Sequence, residues 1–150
     1  LTLPTTQTSA LTTLTSAFAQ CSNLTTINNL NRLGSLSAAP LVGATLINNS
    51  NKLLALSFSC PFSALAVNGA SATNFNKLNS LRLLNVGSSQ WSGVSPQINV
   101  SFCDLDVAAL NQLFTDLTTV TTKTINITGC TGAAGCTRSI ATSKGWTVTG

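Results

Sequence analysis

An apolar residue, one polar or small residue and a second apolar residue recur along this chain. Several copies carry a further apolar residue three places upstream: Leu53/Leu56/Phe58, Phe62/Leu65/Val67 and Leu78/Leu81/Leu83. Weaker copies stand at Leu24/Ile27/Leu30, Ile98/Val100/Phe102, Ile125/Ile127 and Trp146/Val148. Strand side chains alternate between two sides, so each pair turns its apolar members inward and leaves the middle residue outside. One such strand cannot hide its apolar side alone, whereas copies stacked on one another can. The pattern therefore predicts an α/β solenoid, with short parallel strands stacked as rungs and joined by short helices and irregular loops. A chain of 150 residues has the size of one domain, and we read 1–150 as a single solenoid.

Taking the first member of each pair or its nearest equivalent as marker, the rungs fall near Ile27, Leu56, Leu65, Leu81, Ile98, Ile125 and Trp146. Their outward residues would be Ser57, Ala66, Arg82, Asn99, Asn126 and Thr147, flanked by Gln97, Ser101, Thr124 and Thr128. That face is polar, short and nearly uncharged. Between the rungs, Leu11, Leu14, Ala17 and Phe18 recur at helical spacing and predict a helix over 9–18, inside an N-terminal cap of residues 1–20. A second helix is expected from Asp104 to Leu117, capped by Asp104 or Asp106. Leu105, Ala108, Ala109, Leu113 and Phe114 would share its apolar side, with Gln112 and Asp116 facing away. A third should run from Thr137 to Ser143 and stop at Lys144-Gly145. Turn residues cluster at 48–51, 67–74 and 85–93.

Charged residues make up 7% of the chain, against about a quarter in an ordinary soluble domain, so Ser, Thr, Asn and Gln must form its exterior. The net charge of +4 comes from seven basic residues scattered along the sequence. Nucleic-acid binders gather such residues into a stripe, so no nucleic-acid partner is expected. There is no apolar run near 18 residues, and membrane insertion is not expected either. Met is absent, at position 1 as elsewhere, which points to an N-terminus made by processing, trimming or excision from a longer product.

Catalysis needs titratable groups held together, yet the chain has no His, no Glu and no Tyr, and its three acids are Asp104, Asp106 and Asp116. No enzyme and no cofactor are expected. Gly129, Gly132 and Gly135 follow a strand and precede a helix, but their spacing is not that of a phosphate loop and marks a tight turn. Asp104 and Asp106 read better as helix caps than as a calcium pair. With five Cys, no CxxC and no His, a metal site is not expected. Cys130 and Cys136 flank a short Gly-rich segment and could close a disulfide in an oxidising compartment. Cys21 and Cys103 sit where repeat proteins stack small buried side chains. Asn-x-Ser/Thr acceptor sequences at Asn23, Asn48, Asn99 and Asn126 arise readily in a chain of this composition. Trp146 fills the core of the last strand. Trp91 lies in the loop SSQWSG, either as an inward anchor or as an aromatic that stacks on a sugar or a neighbouring subunit. Arg82 could engage Asp116, an acid of another subunit, or solvent.

Residues 16–30, SAFAQCSNLTTINNL, resemble the degenerate repeat of bacterial surface leucine-rich proteins, with Ala17, Phe18, Cys21, Leu24 and Ile27 in its characteristic places. The stretch from 105 to 148 resembles the closing module of leucine-rich surface proteins common in tailed-phage genomes: helix, strand, Gly-Ala turn, helix and a final Trp-containing strand. Residues 105–150 would then be a C-terminal capping module. The resemblance does not extend to 33–50 and 84–96, where inserted loops are expected, and the rung spacings of about ten to thirty residues depart from the regular 20–29. It implies an extracellular location, on a virion or a bacterial cell surface, and carries no catalytic residues. The function expected is a non-enzymatic structural or display protein, as a decoration, fibre or adhesion subunit. Its partners would be itself or other virion or surface proteins. The alternative is a carbohydrate- or receptor-binding adhesin module that meets glycans through Trp91, Arg82, Gln97, Asn99, Asn126 and Thr147.

Overall fold

The computed structural model describes residues 1–2, 13–28, 41–43, 46–47, 52–58, 62–73, 75–84 and 91–150. Among these described residues, seven strands and two helices follow in chain order: β1 Leu41–Gly43, β2 Ala55–Phe58, β3 Phe62–Ala66, β4 Ser80–Leu83, β5 Ile98–Asn99, α1 Val107–Asp116, β6 Lys123–Asn126, α2 Ser139–Thr142 and β7 Trp146–Thr149. The strands form two sheets, both wholly parallel. One has five strands in the order β1-β3-β5-β6-β7, and the other is the pair β2-β4.

The chain thus crosses between the sheets from β1 to β5, and later passes through α1 and α2 where further strands of the second sheet would stand. Leu65, Ile98, Ile125 and Val148 occupy one register across β3, β5, β6 and β7, while Leu56 aligns with Leu81 and Phe58 with Leu83 in the pair. This differs from one series of rungs. Leu56 and Leu81 belong to a separate sheet from Ile98 and Ile125, and Val148 rather than Trp146 takes the rung position in β7. The same two-residue period serves both sheets, so the period alone does not tell them apart.

The apolar pairs meet between the sheets as expected from the alternation. Leu56, Phe58, Leu81 and Leu83 from one side, and Leu65, Val67, Ile98, Val100, Ile125 and Ile127 from the other, are buried in one cluster. Burying each such side chain is worth about 1.5–3 kcal/mol. Phe58 and Phe62 pack edge to face, with ring centres 5.0 Å apart, at the crossing from β2 to β3. Backbone pairing also runs beyond the short strands: Val67 N–H reaches Asn99 O at 3.0 Å, Gly69 N–H Ser101 O at 2.9 Å and Phe102 N–H Thr128 O at 2.9 Å.

The expected helices are shorter or differently faced. Asp106 caps α1 by accepting the Ala109 N–H at 2.8 Å, and Asp104 instead accepts the Thr131 hydroxyl at 2.8 Å. α1 buries Leu110, Leu113 and Phe114, Ala108 is exposed, and Asp116 turns toward β4 instead of away. The third helix is one turn long. Gly145 follows it at φ +85°, and a side chain there would run into the Val120 carbonyl. Of the helix expected over 9–18, residues 9–12 lie outside the described residues, and 15–20 form turns, with Ser16 and Gln20 at positive φ. The turn cluster at 48–51, most of the loop at 33–50 and residues 85–90 of the loop at 84–96 also lie outside the described residues.

Candidate functional site

The outward side of the five-stranded sheet carries small and neutral residues. Ala66, Asn99, Asn126 and Thr149 form one row across β3, β5, β6 and β7, and Thr124 stands beside Thr147 in the next. Asn99 and Asn126 act alike. Asn99 Oδ1 accepts the Ser101 N–H at 3.1 Å, and Asn126 Oδ1 accepts the Thr128 N–H at 3.0 Å and its hydroxyl at 2.6 Å. Each asparagine therefore turns the chain out of its strand, a local role that Asn performs readily. That bond pattern gives both asparagines a structural reason, and at Asn126 it uses the Thr128 hydroxyl as well. Asn23 is exposed and accepts from Lys52 Nζ at 2.9 Å, and Asn48 lies outside the described residues.

Two of the expected surface residues are interior. Gln97 is 6% exposed, and its amide is used at both ends: Oε1 accepts the Thr124 N–H at 2.8 Å, and Nε2 donates to Gly93 O at 3.0 Å. It supplies an acceptor to β6 where β5 is only two residues long. Trp91 is 1% exposed and packs edge to face on Trp146, ring centres 5.5 Å apart. The Trp146 Nε1–H donates to Thr118 O at 2.9 Å, while Trp91 Nε1 is buried without a partner among the described residues. Trp91 is thus the inward anchor of its loop and offers no ring face to a sugar.

Arg82 lies on the second sheet, beside Ser57 of β2, away from Asn99, Asn126 and Thr147. Its Nε is 2.6 Å from Asp116 Oδ2 and its Nη2 3.0 Å from Oδ1. The same carboxylate accepts the Leu83 N–H at 3.1 Å and the Gln112 amide at 3.0 Å. The Arg82 guanidinium is held above its ordinary pKa by this hydrogen bond and then by the charge of Asp116. Asp116 closes the outer edge of β4, which would otherwise present an open donor.

No disulfide joins Cys130 to Cys136, and both thiols are free. Cys103 Sγ donates to Val67 O and Cys130 Sγ to Val100 O, each at 3.0 Å, while Cys136 Sγ reaches Ala133 O at 3.4 Å. Each of the two buried thiols thus bonds one strand back along the sheet. The signal was present in the chain as Ile98-x-Val100-x-x-Cys103 and Ile125-x-Ile127-x-x-Cys130. Burial pushes the Cys130 thiol up to about 11, against the pull of the Cys103 N–H, and it pushes Cys103 up as well. Cys21 is exposed, and Cys60 lies outside the described residues.

Lys144 was another residue whose part was hidden. Its Nζ donates to the carbonyls of Phe114 at 3.1 Å, Thr115 at 2.6 Å and Leu117 at 2.7 Å, which satisfies the C-terminal end of α1. A pocket of about 180 Å³ lies between Ala64 and Ala66 of β3 and the segment from Val94 to Pro96, with Asn99 also lining it. It contains no titratable side chain. Among the described residues no group of three His, Cys, Asp or Glu side chains could hold a metal ion, and no helix is long and apolar enough to cross a membrane. No protein-family model, no curated protein and no solved structure matches the chain.

Proposed function

We propose that the chain is a leucine-rich-repeat-like solenoid that serves, without catalysis, as a structural or display subunit of an assembly on a virion or cell surface. One observation carries the reading. The units from Ile98 to Cys103 and from Ile125 to Cys130 lie in the same register on neighbouring parallel strands, and their thiols make the same bond to Val67 and Val100. That spacing is the strand-and-cysteine part of a leucine-rich repeat. A stack of this kind offers a surface more readily than a reaction chamber. The carboxylates support the same view, since Asp106 caps α1, Asp116 braces β4 and Asp104 holds Thr131. Few charges also mean weak repulsion between copies.

Sedimentation velocity of the purified chain over a wide concentration range tests the assembly role. Species larger than the monomer that grow with concentration are expected, and a monomer at every concentration would overturn it. A glycan array provides the contrary outcome: specific retention of one sugar class would replace assembly with recognition. Loss of retention in Trp91→Ala would not locate a sugar site, because that change empties the core beside Trp146.

A further inference from the structure

We propose that Asn68 is a self-modification site, at which the Gly69 nitrogen converts the asparagine to isoaspartate or aspartate whenever the backbone pairing just beyond β3 and β5 opens. Asn68-Gly69 is the chain's one Asn-Gly pair, and every other asparagine precedes a residue with a side chain. Glycine has no Cβ to crowd the approach, so its nitrogen can meet the preceding side-chain carbonyl carbon in backbone conformations closed to other residues. The Asn68 side chain already lies along that neighbour: its Nδ2 donates to Gly69 O at 2.9 Å. Asn68 itself is half-buried, which leaves it in reach of water.

The reaction has two steps. Hydroxide takes the Gly69 amide proton, the nitrogen bonds to Asn68 Cγ, and the Cγ–Nδ2 bond breaks to close a five-membered imide. Ammonia leaves, taking its third hydrogen from water and restoring the hydroxide. Water then opens the ring at either carbonyl, which gives aspartate or else isoaspartate, whose main chain passes through the former side chain and is one carbon longer. Both products exchange a neutral amide for a carboxylate in a chain with three acids.

The fold holds the first step in check. Gly69 N–H donates to Ser101 O at 2.9 Å, so the nitrogen keeps its proton until that bond breaks. On the other side of Asn68, Val67 is pinned through its N–H to Asn99 O at 3.0 Å and through its carbonyl to Asn76 Nδ2 and Cys103 Sγ, each at 3.0 Å. An extra main-chain carbon between these anchors sets the Gly69 N–H out of step with Ser101 O. A brief opening would thereby become a lasting one.

Peptide mass spectrometry of the full chain kept at pH 8 in rising urea, read beside hydrogen exchange at the Gly69 amide, tests this. Conversion at position 68 should be about tenfold or more slower in the folded chain than in unfolding urea, because only the open fraction reacts. Below the unfolding transition it should rise in step with Gly69 exchange, and an isoaspartyl methyltransferase should label the product. Asn68→Gln, whose longer side chain requires a six-membered ring, should keep the circular dichroism of the wild type and stay unmodified at this position. Conversion as fast in the folded chain as in urea would overturn the gate. An Asn68 that stays intact while the Gly69 amide exchanges freely would overturn the site itself.

Discussion

Raising the pH from 8 to 10 should weaken the fold by roughly 2–3 kcal/mol through two thiols alone. A cysteine released by unfolding ionises near its ordinary value of 9.0, whereas Cys130 in the folded chain holds its proton to about 11. Cys103, also pushed up by burial, keeps its proton over the same range. Between those values the unfolded state has lost protons that the folded state retains, so stability is fully present below pH 9 and falls as pH rises toward 11. Each pH unit in that window costs about 1.4 kcal/mol per thiol, so the step from pH 8 to 10 costs about 1.3 kcal/mol for each, most of it above pH 9. The chain has no Tyr, so no phenol titrates in the same range. Urea unfolding under reducing conditions at pH 8 and 10 measures the loss. The double variant Cys103→Ala/Cys130→Ala serves as reference because it keeps every other ionisable group. It will be less stable throughout, so the comparison lies in the pH slope. Equal slopes for the two chains would refute the argument, because they would mean that neither thiol is shielded in the folded state.

Other perturbations probe separate parts of the fold. Ile125→Ala removes a fully buried side chain between Ile98 and Val148 and should cost about 2–5 kcal/mol in urea unfolding, whereas exposed Thr147→Ala should stay within about 0.5 kcal/mol. Asp116→Ala removes the acceptor of the Leu83 N–H, and that amide should exchange with solvent faster than in the wild-type chain, as read by hydrogen exchange. Trp146→Phe should destabilise more than Trp91→Phe in the same unfolding assay, since only the Trp146 indole loses a hydrogen bond, to Thr118 O.

The apolar pairs were legible because burial tracks them closely: the members of Leu53/Leu56/Phe58, Phe62/Leu65/Val67 and Leu78/Leu81/Leu83 are all interior. Their allocation to two sheets was not, because a period of two records which side of a strand is inward and says nothing of its neighbour. α1 was visible through its cap and apolar spacing, and Asp116 was one of the partners open to Arg82, yet the helix pattern alone turned Asp116 outward because Arg82 and Leu83 lie more than thirty residues away. Gln97 looked like a surface group in polar surroundings, and Trp91 was open to an inward or an outward reading. Gln97 is drawn in by a backbone N–H that β5 is too short to satisfy, and Trp91 by the ring of Trp146. The two buried cysteines were legible as a spacing, but the nearness of Cys136 made a disulfide the more obvious reading of Cys130.

Strands in a sheet sit about 4.8 Å apart, whereas packed helices need 8–10 Å. Where β2 and β4 stand opposite the five-stranded sheet, the two walls advance at equal pace. From α1 onward the far wall is built of helices while β5, β6 and β7 keep strand spacing, so the two walls no longer advance in step.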